Sequence, residues 1–157
     1  MSKINSSILS AILIGVAFLV ISCTPEACFE ETNSFLKASF YDNITKKLRA
    51  PDSLTVYGLN KETAKIYDKA IKVQPALFPL NASSDNCTFI IRINGITDTI
   101  TFRYNSFPHL ISKECGYTFF HNLDTAKPTS TKYAIDFIYR SNGTITTSNE
   151  ENIRIFY

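Results

Sequence analysis

Residues 87–104, CTFIIRINGITDTITFRY, decide how the chain is read. Two runs rich in Ile, Thr, Phe and Tyr flank Asn94-Gly95, a dipeptide that suits a two-residue hairpin turn. That turn would set Ile91 opposite Asp98, an apolar side chain against a carboxylate. A four-residue loop from Asn94 to Thr97 instead pairs Ile93 with Asp98 at the tip, Ile91 with Ile100, Phe89 with Phe102 and Cys87 with Tyr104. Cross-strand neighbours share a face, so this register buries one apolar row. The longer loop is the expectation. Thr99, Thr101 and Arg103 then occupy the opposite face, as in a half-solvated antiparallel sheet.

Outward from this hairpin the same period of two recurs. Leu36, Ala38 and Phe40 share a face in residues 34–41, and Leu54 and Val56 do so in 53–59. Tyr133, Ile135, Phe137 and Tyr139 alternate through 131–140, the clearest strand by pattern. Residues 144–148 and 153–157 follow it. Pro75 and Pro79 confine residues 76–78 to an edge strand or extended cover. Asn105 to Pro108 reads as a turn, 110–112 and 116–120 as extended pieces, and 122–130 as a loop. Residues 60–73 are ambiguous, because Ala64, Tyr67, Ala70 and Ile71 suit a helical face while their flanks are strands. The expected fold is all-β: an antiparallel β-sandwich of about eight or nine short strands, Ig-like or similar, with a barrel as the alternative.

The first 33 residues differ in kind. Lys3 opens a short polar start, an apolar run spans Ile8 to Ile21, and Val20-Ile21-Ser22-Cys23 leads into the polar stretch TPEACFEET. Basic start, short apolar segment and small residue form a secretory signal. The run is short for a bilayer span, which takes about 20 apolar residues. An aliphatic pair and a small residue before cysteine resemble the lipobox of bacterial lipoproteins. The resemblance implies cleavage after Ser22, diacylglycerol on the Cys23 thiol and stable anchoring by two or three acyl chains. The chain therefore divides into a signal peptide (1–22), an acidic tether (23–33) carrying Glu26, Glu30 and Glu31, and a β-sandwich domain (34–157).

Loss of residues 1–22 removes Lys3 and takes the formal net charge from +2 to +1. Such neutrality leaves no footprint for nucleic acid. If Cys23 carries lipid, Cys28, Cys87 and Cys115 allow three pairings, or none if all stay reduced. Cys28–Cys115 is favoured because it ties the start of the tether to a distant part of the chain. Cys87 falls in an apolar strand register and suits a small buried hydrophobe.

No residue set specifies catalysis. His109 and His121 lack a second ligand at metal-binding spacing, so neither metal nor cofactor is expected. A Cys115, His121 and Asp124 nucleophile set is disfavoured, because a cysteine open to oxidation and lacking a helix start before it is a poor nucleophile. Asp85, Asp98, Asp124 and Asp136 form no paired-carboxylate motif. Asp52-Ser53-Leu54, Asp98-Thr99-Ile100 and Asp124-Thr125-Ala126 resemble the D-[S/T]-aliphatic O-glycosylation site of Bacteroidota-type envelopes, making Ser53, Thr99 and Thr125 candidates.

The lipobox, a second cysteine five residues on, Phe78-Pro79-Leu80-Asn81, Thr101-Phe102-Arg103-Tyr104 and Cys115-Gly116-Tyr117 together resemble an uncharacterised lipoprotein family of Bacteroidota-type bacteria. That resemblance implies a lipid-anchored location at the outer membrane, periplasmic or surface-facing, and supports the Cys28–Cys115 relation. It brings no activity. The expected role is a non-enzymatic module binding or scaffolding an envelope protein, or a glycan-binding accessory domain. An envelope hydrolase ranks last.

Overall fold

The computed structural model describes residues 28–126 and 128–157; the signal segment, Cys23 and the first part of the tether lie outside them. Eleven strands follow in order: β1 (Phe35–Tyr41), β2 (Leu54–Gly58), β3 (Lys65–Ala70), β4 (Ala76–Pro79), β5 (Asn86–Ile93), β6 (Ile96–Ser112), β7 (Gly116–Leu123), β8 (Thr129–Ser130), β9 (Phe137–Arg140), β10 (Thr144–Ile145) and β11 (Ile153–Phe156). The described residues contain no helix. β3, from the ambiguous 60–73 stretch, and the two-residue β8, inside the expected 122–130 loop, raise the count, while β10 is the start of the expected 144–148 strand.

A four-stranded sheet has the order β4-β1-β11-β9, and the larger sheet has the order β10-β7-β6-β5-β2-β3, with β8 also paired to β6. Every pairing is antiparallel except β1 with β11. The two sheets close on one core. Leu36, Ala38, Phe40, Ile153 and Ile155 from the small sheet join Leu54, Val56, Phe89, Ile91, Ile100 and Phe102 from the large one. Phe78 of β4 meets the rings of Phe89 and Phe102 edge-on at 5.1 and 5.5 Å. Burial of such side chains, about 1.5–3 kcal/mol each, holds the layers together.

The central hairpin corrects the expected register. Asn94 and Gly95 have φ of 49° and 91°, the pair of positive values that a two-residue type I′ turn demands. Ile93 therefore pairs with Ile96, Ile91 with Asp98, Phe89 with Ile100 and Cys87 with Phe102. The shift from the four-residue loop is two residues, one full strand period, so every side chain keeps its expected face.

Other boundaries move for identifiable reasons. Residues 65–70 form a strand because β2 offers a free edge, and pairing there overrides local helix preference. The supposed turn at Asn105–Pro108 is instead the middle of the 17-residue β6. From Tyr104 on, β6 leaves β5 and pairs with β7, so Pro108 falls where the missing N–H faces no β5 partner. The expected extended piece 116–120 runs on to Leu123 in β7, two residues into the expected 122–130 loop. The 131–140 pattern also misleads. Only residues 137–140 are strand, Ile135 and Ile138 point inward, and Tyr133 and Tyr139 are exposed.

Candidate functional site

The groups with chemical potential are mostly engaged in structure. Asp98 is 1% exposed although it lies opposite Ile91. Its Oδ1 accepts from the Thr131 hydroxyl and from Tyr133 N at 2.8 Å; its Oδ2 accepts from Ala134 N at 2.7 Å and Ile135 N at 2.9 Å. Burial opposes ionisation, but the Thr131 hydroxyl and three backbone N–H groups outweigh it and hold the carboxyl below its ordinary range. These bonds arrest residues 131–135 as a wrapped loop, which is why the alternating pattern there makes no strand.

Cys28 is joined to Cys115, with Cα atoms 4.8 Å apart, and Cys87 is a free, half-buried thiol. Cys115 is thereby lost as a nucleophile. Cys87 lies 2.9 Å from the Tyr104 hydroxyl, which donates to Asn81 O and accepts from Asn81 N. His121 is 3% exposed. Its Nδ1 is 2.8 Å from the Ser106 hydroxyl and its ring meets Tyr104 edge-on. Burial pushes its pKa below the ordinary value. The imagined Cys115, His121 and Asp124 set is therefore not assembled. Among the glycosylation candidates, Thr125 is exposed while Ser53 and Thr99 are half-buried.

The structure does assemble one concave polar site. Thr101, Arg103 and Asn105 project on alternate positions of β6, and Asn86 of β5 pairs with Arg103. Backbone bonds fix the flanks: Tyr104 N donates to Asp85 O, and Asp124 N donates to Arg103 O, both at 2.9 Å. Arg140 Nη1 braces the same corner through Leu123 O and Asp124 O at 3.2 and 3.0 Å. Asp85, Asn86, Thr101, Arg103, Asn105 and Asp124 thus line an open cleft of about 580 Å³. The Ala126 backbone N–H, then the Thr125 hydroxyl, hold the Asp124 carboxyl below its usual range. An ionised Asp124 beside an exposed guanidinium offers acceptors and donors to a polar ligand but no proton to a leaving group. Sequence reading found Arg103 and Asp124 singly and missed their convergence, because residues 85 and 124 meet only through the separate backbone bonds to β6.

A second surface lies on the outer face of the small sheet. Phe137 stacks on Phe156 at 4.2 Å, and Phe156 on Tyr41 at 5.2 Å. Lys46 Nζ caps Phe137 at 4.7 Å, and the Arg154 guanidinium lies over Tyr41 and Tyr139 at 5.3 and 5.9 Å. Arg154 is held by Glu151 at 2.6 Å.

Two packed sheets with a polar cleft on a strand frame define a β-sandwich-type module. The chain belongs to a family of unknown function (DUF6452), matched over residues 53–157, from the residue before β2 to the last residue. No curated protein and no solved structure matches it.

Proposed function

We propose that the chain is a lipid-anchored cell-envelope protein whose β-sandwich acts as a non-enzymatic binding or scaffolding module. Cys23 carries the lipid and the tether from residue 23 to 33 joins it to the sandwich, at the outer membrane of a Bacteroidota-type bacterium. The Cys28–Cys115 bond supports an oxidising compartment. One observation carries the binding reading: Asp85, Arg103 and Asp124 converge on an open cleft held by a rigid sheet. Meanwhile the thiol of Cys115, the imidazole of His121 and the carboxylate of Asp98 are each spent on structure.

The test is capture of envelope partners by in-cell crosslinking with wild type and with Arg103→Ala/Asp124→Ala. A specific partner retained by wild type and lost by the double variant supports the reading. An identical set of captured proteins contradicts it.

A second reading has its own support. The cleft lining combines carboxylates with amide and guanidinium donors, a set suited to sugar hydroxyls, and the exposed Tyr139 and Phe137 rings offer stacking faces elsewhere. Binding on a glycan array, abolished by the same double variant, distinguishes it.

A further inference from the structure

Among the described residues β10 pairs with β7 only at His121 and Asn122, and β5 leaves β6 after Arg103, so residues 107–119 form a two-stranded ribbon running past the last rung of either neighbour. Its faces follow from the pairing. Leu110 lies opposite Tyr117, and Pro108 opposite Phe119, so these four side chains share one face. All four are exposed, Tyr117 by 74%. On the other face His109 stacks on Phe120 at 4.1 Å, with Phe107 edge-on to Phe120. A two-stranded ribbon with an apolar exposed face is marginal in water.

The tether is fastened to this ribbon. Cys28 is bonded to Cys115 at its tip. The Thr118 hydroxyl donates to Thr32 O at 2.6 Å, and the Ser34 hydroxyl donates to Phe119 O. Phe29, one residue past the bond, is 92% exposed. Cys28 follows Cys23 by five residues, and five residues span at most about 18 Å even when fully extended.

We infer that the β6–β7 ribbon, with Phe29, is the membrane-facing surface of the domain, its Leu110, Tyr117 and Phe119 side chains seated in the bilayer interface. This rests on the proposed lipidation of Cys23. A lipidated Cys23 with its acyl chains in the bilayer keeps Cys28 near the headgroups, and the disulfide carries that restraint to the ribbon tip. Aromatic side chains on a short leash to the bilayer settle at its interface, where an apolar ring and a hydroxyl are both satisfied. The opposite end of β6, at the Asn94-Gly95 turn, then points away: 17 residues of strand span up to about 56 Å. The cleft around Arg103 lies midway along that strand.

The chain has no tryptophan, so single-Trp reporters are clean. Full-length lipidated protein carrying Tyr117→Trp, or Ile96→Trp at the far end of β6, is reconstituted in phosphatidylethanolamine/phosphatidylglycerol vesicles with brominated acyl chains. Both sites are exposed. If Tyr117→Trp unfolds the ribbon, Leu110→Trp on the same face replaces it. The expected result is a blue-shifted emission at 117 that loses about half its intensity to the brominated chains, as shallow burial of about 5–10 Å requires, with no quenching at 96. Equal quenching at the two positions, or none at 117, in protein whose intact mass retains the diacylglycerol overturns this inference alone. A mass without lipid overturns the proposed anchoring and this inference with it.

Discussion

Asp98 and Ile91 face each other across the β5–β6 ladder, a carboxylate beside a fully buried aliphatic side chain. The pair is tolerable because the carboxylate's partners come from elsewhere in the chain, residues 131–135. Asp98 therefore acts as an organising centre for the connection between β8 and β9. Replacing it with Ala leaves three backbone N–H groups and one hydroxyl without their acceptor. Each unpaired buried group costs about 1–3 kcal/mol, and partial access to water lowers the sum. Asp98→Ala is expected to lose about 3–5 kcal/mol and Asp98→Asn somewhat less, read from urea denaturation midpoints. A variant within about 0.5 kcal/mol of wild type would refute the organising role.

Acid should lower the stability of the protein over two successive pH ranges. His121 and Asp98 both titrate lower in the fold than their ordinary values of 6.5 and 3.8. The unfolded chain thus binds more protons than the native one, and stability rises with pH. The His121 contribution is complete above 6.5 and is lost as pH falls through its lowered native value. The Asp98 contribution is complete above 3.8 and is lost as pH falls further. Urea midpoints measured across a pH series check this. In His121→Gln, which keeps an oxygen to face Ser106, the first loss should disappear while the second remains.

The two-layer, all-strand character was legible because it depends on alternation, and alternation survives a register error of two residues. The Asn94-Gly95 turn was legible too. Sequence alone argues against it, because the Ile91–Asp98 pair is unfavourable when only the two strands are considered, and the cage that makes it favourable is 33 to 37 residues away in sequence. The 131–140 strand failed for the same reason, since backbone N–H groups there turn to the carboxylate instead of a neighbouring strand. Pro108 looked like a terminator because sequence does not tell which edge of β6 is unpaired. The cleft was hidden because Asp85 and Asp124 are brought to Arg103 by main-chain bonds that no side-chain spacing encodes.

The bond between Cys28 and Cys115 closes a sequence separation of 87 residues, and in the chain-entropy account such a loop contributes about 4 kcal/mol. The double variant Cys28→Ser/Cys115→Ser should unfold at a correspondingly lower urea concentration. Its remaining core needs no contact with the tether, so hydrogen exchange should quicken first in residues 107–119 and only slightly in β5 and β11. Uniform quickening across both sheets would mean that the ribbon and the sandwich unfold as one unit.

Adjacent residues of β6 separate binding from stability. Phe102 is fully buried against Phe78 and Phe89, so Phe102→Ala should cost about 3–5 kcal/mol through loss of apolar burial and a cavity. Arg103 points the other way and is exposed, and the bond it contributes to the frame is made by its backbone carbonyl to Asp124 N. Arg103→Ala keeps that bond, so its stability should remain within about 0.5 kcal/mol of wild type. What it removes is the only guanidinium lining the described cleft, between the acidic side chains of Asp85 and Asp124. A ligand carrying both acceptors and donors then loses its charged donor and faces uncompensated carboxylates. On the proposed binding role, Arg103→Ala should therefore lose captured partners while folding normally, measured by crosslinked capture alongside urea denaturation. Capture equal to wild type by a stably folded Arg103→Ala would move the binding surface elsewhere, with the Phe137, Tyr139 and Arg154 face the next to mutate.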